Sequence, residues 1–299
     1  MKIKKKYQRL YNMSLEKKEK IGLDLLKQVI EEKRSDLPLI INFSGGKDSL
    51  ICLSMAMKVY DNVECCYADG GFELPETLPY IKKRCKEFGV KLHVAKAGEV
   101  TISHRIPGPL AGCQTLKDFI LNYEYWPVAG NRWCSIWLKQ RVMKAYWRQF
   151  YDNKTILYKV VGVRMFESPV RLWKYGDPKH YKRLGVNGNK YIKYDREHHP
   201  CRLVYPILDF TDKNVEDYLK KENIEVHTGY KVFGVSGCKY CPVHTVDVYE
   251  KILSVYPNIY DDIIELEEKI GKPAAENKYF IKDIKERVLS KKENKNNEE

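Results

Sequence analysis

The 299-residue sequence contains no long uncharged apolar run, which argues against a bilayer-spanning helix. Its first residues, Met1-Lys-Ile-Lys-Lys-Lys-Tyr7, are basic but lead into no apolar h-region, so a secretory signal is not expected and a cytoplasmic setting is. No internal repeat and no composition break marking an interdomain linker is evident, and one elaborated domain is the simplest division. Acidic residues are the minority charge, 40 against 53 Lys and Arg, giving a formal net charge of +13. That balance suits a polyanionic partner, nucleic acid or a phosphorylated small molecule, although a Lys-rich proteome raises every pI equally. What the chain does have is core-forming material: 43% hydrophobic residues, 22 Tyr and nine Cys. Without an export signal those cysteines read as reduced thiols, available as metal ligands, reactive groups or core residues.

Along the chain, apolar runs alternate with helical patterns. Residues 1–35 read as an N-terminal helical segment with apolar Ile21, Leu25 and Leu26 among charges, later joined by Val29 and Ile30. Leu37–Phe43 is a short continuous apolar run, the pattern of a strand buried on both faces. A buried helix over Asp48–Lys58, a strand over Val63–Asp69, an amphipathic helix from Pro75 to Phe88 and a strand over Lys91–Ala95 follow. An insertion with helical stretches, Thr101–Gln149, precedes a strong strand at Thr155–Val163. The alternation predicts an α/β protein with a doubly wound, mainly parallel sheet. Arg171–His199 reads as a loop-like stretch with a hairpin around Gly188-Asn189; it carries eight Lys or Arg against three acids. Leu203–Leu208 is a further strand, and Thr211 caps a helix running to Lys221. The expected division is residues 36–245 as an α/β domain and 246–299 as a C-terminal helical region with a charged tail.

Between the first strand and its helix lies Ser44-Gly-Gly-Lys-Asp-Ser49. Gly45 and Gly46 remove the side chains that would keep the backbone from closing around an anion. Successive amides and the positive end of the helix then hold phosphate oxygens. Ser44 and Ser49 add hydroxyl donors and Lys47 a compact charge. The Gly-x4-Gly-Lys-Ser/Thr spacing of a Walker loop is absent. The bland alternative is a tight turn.

This loop resembles the pyrophosphate-binding loop of the adenine-nucleotide α-hydrolase superfamily. Its neighbours narrow the resemblance to the phosphoadenosine phosphosulfate (PAPS) reductase family: Asp69-Gly-Gly-Phe-Glu-Leu-Pro-Glu-Thr77, Arg132-Trp-Cys-Ser-Ile-Trp-Leu-Lys139, Gly162-Val-Arg-Met-Phe-Glu-Ser-Pro-Val-Arg171 and Tyr205–Thr211. The motifs run in order over about Ile40 to Pro242 and are specific jointly rather than singly. Gly70 stands where the family usually has Thr, which leaves open whether Asp69 binds nucleotide or caps a strand end. For Arg164 and Arg171 the resemblance implies recognition of phosphate or sulfate oxygens; the alternative is a surface ion pair with Glu167.

Sulfonucleotide reductases of this family attack sulfur with a cysteine near the C-terminus, and here no cysteine follows Cys241. The intact Lys47 and Asp48 imply ATP as substrate, with Mg2+ on the phosphates, attack by an acceptor oxygen on the α phosphorus and release of pyrophosphate. Lys47, Asp48 and Arg164 are the expected catalytic residues. Ser44, Gly45, Gly46, Lys47, Asp48, Ser49, Asp69, Gly162, Arg164 and Arg171 are the expected nucleotide contacts. A sulfur nucleophile, supplied by a donor protein, would displace AMP during thiolation of tRNA or DNA. Sulfonucleotide reduction and a sulfate adenylyltransferase small-subunit role are the alternatives.

Gly237-Cys-Lys-Tyr-Cys-Pro242 is a Cys-x-x-Cys turn whose thiolates can face one metal. The resemblance groups Cys134 with Cys238 and Cys241 as ligands of an iron–sulfur cluster of the 4Fe-4S kind, with Cys201 as the fourth ligand and His244 its competitor. Structural zinc suits the same residues, and a redox disulfide is the remaining reading of the pair. Cys52, Cys65 and Cys66 read as buried small hydrophobes, and His198 and His199 as solvated loop residues.

Overall fold

The computed structural model describes residues 3–100, 113–128, 130–152, 154–195, 201–234, 237–242, 244–275 and 278–296. His104, His198, His199 and the first part of the expected insertion lie outside these residues. Strands β1 (Leu39–Asn42), β2 (Val63–Asp69), β3 (Lys91–Lys96), β4 (Leu157–Val160), β5 (Ile192–Asp195) and β6 (Cys201–Val204) form one sheet in the order β3-β2-β1-β4-β6-β5. β1 pairs in parallel with both β2 and β4, β4 pairs in parallel with β6, and β5 returns antiparallel on β6. The expected α/β fold with a mainly parallel sheet is therefore present.

By compactness the chain divides into two units. The first comprises Met1–Tyr67, Leu78–Val94 and Trp147–His227, the second Ala68–Thr77, Ala95–Tyr146 and Thr228–Glu299. This division is interleaved along the chain, whereas the segments expected from the sequence are consecutive.

In the first unit, the apolar run that forms β1 is buried on both sides, and Leu39, Ile40 and Ile41 are all fully enclosed. Alternate strand residues (Leu39, Ile41, Cys65, Tyr158, Val160 and Val204) pack with helices Leu15–Glu32, Lys47–Met57 and Asp212–Lys221 through Leu26, Val29, Leu50, Ile51, Leu53 and Tyr218. Residues of the opposite parity meet Trp147 instead. The His93 ring lies 4.8 Å from the indole and the Lys159 ammonium 6.0 Å from its centre. Covering both faces is what near-continuous apolar strands require.

The second unit has its own core, built on helices Leu116–Tyr123, Val246–Val255, Asp261–Ile270 and Ile281–Asn296. Phe119, Trp126, Tyr240, Tyr249, Tyr260 and Ile284 are its large enclosed residues.

Two expectations are corrected. The strand expected over Leu203–Leu208 is β6, Cys201–Val204, with a turn over residues 206–209. The stretch after Arg171 is not loop-like but opens with two helices, Pro169–Gly176 and Pro178–Leu184. Each begins with proline, whose fixed φ and missing N–H suit the first helical position. Each is capped by the preceding side chain, Ser168 accepting from the Arg171 amide and Asp177 from the Lys179 amide. The chain then returns around Gly188-Asn189, placing Gly185 opposite Lys193. Among the described residues no helix is long and apolar enough to cross a membrane.

Candidate functional site

β1 leads to β2 on one side, while β4 adds on its other side, so the direction of winding reverses between β1 and β4. At such a switch point the loops leaving the two carboxyl ends diverge and open a crevice, the usual ligand position in open α/β sheets. Ser44–Ser49 leaves β1 at this point. Gly45 adopts φ +76°, a left-handed conformation that favours glycine. Gly46 starts the helix Lys47–Met57 with no side-chain cap, so the first-turn amides and the helix dipole present positive potential at the loop. The Ser49 hydroxyl donates to the Gly46 carbonyl at 2.9 Å and lies 3.2 Å from the Ser44 hydroxyl, tying the two ends of the loop together. Lys47 is half-buried in the first helical turn.

The loop leaving β4 closes on this cradle. A Cβ at Gly162 would lie 2.7 Å from the Asp48 carbonyl carbon and 2.8 Å from the Ser49 amide nitrogen, so backbone meets backbone only because the residue is glycine. Two residues on, the buried Arg164 guanidinium donates through Nε to Asp48 Oδ1 at 2.9 Å and through Nη1 to Asp212 Oδ1 at 2.8 Å. Burial works against its charge, but the two carboxylates more than offset that and hold its pKa above the ordinary value. Arg164 thereby fastens together the loop after β1, the loop after β4 and the start of helix Asp212–Lys221. That helix is itself fixed by a capping box between Thr211 and Asn214.

Other expected contacts sit differently. Arg171 donates to Glu167 four residues earlier, the surface ion pair weighed against phosphate recognition. Asp69 ends β2 and accepts from the Gly71 amide at 3.0 Å, an Asx turn at the strand end.

In the second unit, Glu73 and Cys238 face each other across a short antiparallel bridge held by Leu74 N–H to Gly237 O and by Lys239 N–H to Phe72 O. The Lys139 ammonium lies 3.0 Å from Cys238 Sγ and 3.1 Å from Glu73 Oε1. Lys139 belongs to a π turn, Ile136–Gln140, closed by Arg141 N–H to Ile136 O; Cys134 lies in the helical turn just before it. Burial pushes the Cys238 thiol up to about 12, with Lys139 pulling down and Glu73 and Cys241 pushing up. Burial and then Cys241 also raise Cys134. Cys134, Cys238 and Cys241 thus share one electrostatic neighbourhood. His244 donates its amide to the Cys241 carbonyl at 2.9 Å. Its buried Nδ1 has no hydrogen-bond partner among the described residues, and burial lowers the imidazole to about 4, the neutral, ligand-competent form. Cys201 belongs to the first unit, where it begins β6, paired with Leu157 and Asp195. Among the described residues no three His, Cys, Asp or Glu side chains meet as a metal site.

A family model for the phosphoadenosine phosphosulfate reductase domain matches residues 38–243, well over half of the chain. The chain belongs to this family. As a member of the PAPS reductase domain family, it is also similar to an uncharacterized protein of Methanocaldococcus jannaschii, 25% identical over 261 residues that cover 86% of this chain and 54% of that protein. A tRNA-5-methyluridine(54) 2-sulfurtransferase of Pyrococcus horikoshii is 30% identical over 95 residues, 29% of this chain and 30% of that one. The solved PAPS reductase of Candida auris aligns with a TM-score of 0.46 at 11% identity, covering 80% of this chain and 97% of that one. The chain spans about half the length of the curated relatives it matches most fully.

Within this PAPS reductase domain, the expected residues 44–49, Gly162 and Arg164 come together, while Arg171 pairs with Glu167. Sequence reasoning missed Asp212, the second carboxylate on Arg164, and the Lys139–Glu73 contact to Cys238. Asp212 is the residue after the recognised cap Thr211, and Glu73 and Lys139 lie inside quoted motifs, so each carried a signal of place but none of partner.

Proposed function

We propose that the chain binds ATP with its terminal phosphates in the Ser44–Ser49 loop and adenylates an acceptor, releasing pyrophosphate, as the first half of sulfur transfer to nucleic acid. The observation that carries this is the glycine-to-backbone closure of Gly162 on Asp48 and Ser49, which builds an amide-lined cradle at the sheet's switch point. Phosphate oxygens at an uncapped helix start gain both hydrogen bonds and the helix field. Lys47 neutralises charge that grows on the departing pyrophosphate. Mg2+ supplies further charge neutralisation on the phosphates when bound, and Asp48, aimed by its bond to Arg164, is the carboxylate that would orient it through water. Arg164 acts on the reaction by holding that carboxylate.

Cys134, Cys238 and Cys241, which share the second unit but do not meet as a formed metal site, are the residues that would close around an iron–sulfur cluster or zinc, a group that would supply sulfur-carrying or structural chemistry there. The orphaned Nδ1 of His244 favours this histidine over Cys201 as the fourth ligand, since it shares a unit with the three thiols. Lys139 favours the thiolate of Cys238 by charge and hydrogen bond, against the burial that keeps the thiol protonated until a metal replaces the proton. The partial similarity to a tRNA sulfurtransferase supports nucleic acid as the acceptor class. The test is incubation with α-labelled ATP and RNA or DNA, with and without a sulfide donor. Pyrophosphate release with one acceptor alone is the expected result, the label passing to that acceptor as AMP and leaving as free AMP once sulfide is supplied. Turnover of a sulfonucleotide without pyrophosphate would replace this reading with reduction.

A further inference from the structure

The helices Pro169–Gly176 and Pro178–Leu184, which begin a few residues after Arg164, bear an aromatic feature that the nucleotide cradle does not use. Trp173 is 59% exposed and Val170, one turn before it, 71% exposed. The His180 ring packs against the indole with centroids 3.8 Å apart, holding the tryptophan in place while most of it stays in water. Tyr175 is not part of this surface, because it turns inward against Tyr205.

These two helices carry Arg171, Lys174, Lys179, Lys182 and Arg183; Arg171 is paired with Glu167 just before the first helix, and the acid between the helices is Asp177. That acid is spent on the Lys179 amide and on the Lys6 ammonium, 3.5 Å away. The contact also brings in the N-terminal helix Lys5–Tyr11, whose Tyr7 ring lies 3.0 Å from where a Cβ of Gly176 would be. Burial first, then the nearby charges of Lys193 and Arg171, lower the pKa of Lys174. A surface that gathers cations against their mutual repulsion is stabilised by a polyanion laid across it.

We infer that Trp173, backed by His180 and borne on helices that also carry Lys174, Lys179 and Lys182, is a stacking platform for an unpaired base of single-stranded nucleic acid. Stacking on an indole is available to every base but only when the base is out of a duplex, whereas the lysines track the backbone without regard to sequence. Among the described side chains of these helices, of eight and seven residues, the two large exposed apolar ones make too small a face for insertion into a lipid surface, which needs a continuous stripe. The chain path from Arg164 to Trp173 allows a separation of at most about 20 Å, so a strand held here reaches the cradle within a few nucleotides. The inference rests on the proposed reading only for the strand's role as acceptor.

Binding is measured by fluorescence anisotropy of labelled single-stranded RNA, single-stranded DNA and the matching duplex, with the full chain and without ATP. At least one single strand binds more tightly than duplex. Trp173→Ala weakens it about tenfold, and Trp173→Phe retains most of the affinity. The pair Lys179→Glu and Lys182→Glu weakens binding and flattens its salt dependence. Wild-type affinity in Trp173→Ala with an unchanged melting curve, equal affinity for duplex, or capture by phosphatidylserine vesicles with no oligonucleotide binding would each overturn the platform. Oligonucleotide binding without pyrophosphate release leaves the platform standing and removes the reaction. Pyrophosphate release with wild-type binding in Trp173→Ala does the reverse.

Discussion

Gly162 makes the sharpest demand of any single residue. Its absent side chain leaves room for the Asp48–Ser49 backbone, and a methyl group 2.7 Å from a carbonyl carbon has nowhere to go without moving a main chain. Gly162→Ala should therefore lower ATP affinity by tenfold or more and cost about 1–3 kcal/mol of stability, read by calorimetry and by denaturant unfolding. The loop itself is legible in the sequence because glycine and serine there act locally, on their own backbone. Arg164 was also legible as a site residue, but its role was not. Its partners Asp48 and Asp212 lie far from it in sequence, and only the reversal of strand order brings them to one guanidinium. The same holds for Lys139, whose contact with Cys238 depends on a wide turn that no local propensity announces.

At the scale of elements, strands buried on both faces and capped helices were readable, from the apolar run before Ser44 and from Thr211 at the start of its helix. The two helices after Ser168 were not, because each is short, opens with proline and lies in a stretch whose many basic and aromatic residues read as a loop. A different short-range device joins the two last helices of the second unit. Glu267, in helix Asp261–Ile270, accepts from the Ala274 amide at 2.6 Å and from the Ile281 amide, where the next helix begins. Burial raises its carboxyl from 4.5 to about 7 against the pull of those amides. The folded chain then keeps a proton up to about pH 7 that the unfolded chain releases near 4.5. Stability from this group is fully present below about 4.5 and falls as the pH rises through 7. Glu267→Gln should abolish that slope, measured as urea midpoints across pH 4.5 to 8.

For the whole molecule, two cores predict that a ligand of one unit protects that unit first, since binding stabilises only the structure that it requires. Saturating ATP should slow amide hydrogen exchange across residues 39–57 and 157–164 and leave 246–296 unchanged; uniform protection would show that the cores open together. The interleaved division also imposes an order on biosynthesis. Every segment of the first unit has been translated once His227 leaves the ribosome, whereas the second unit still awaits residues 228–299. A nascent chain stalled between those points holds a closable sheet unit and two stranded pieces, 68–77 and 95–146, whose apolar side chains have as yet no C-terminal helices to bury them. That interval is when this protein would call on a chaperone.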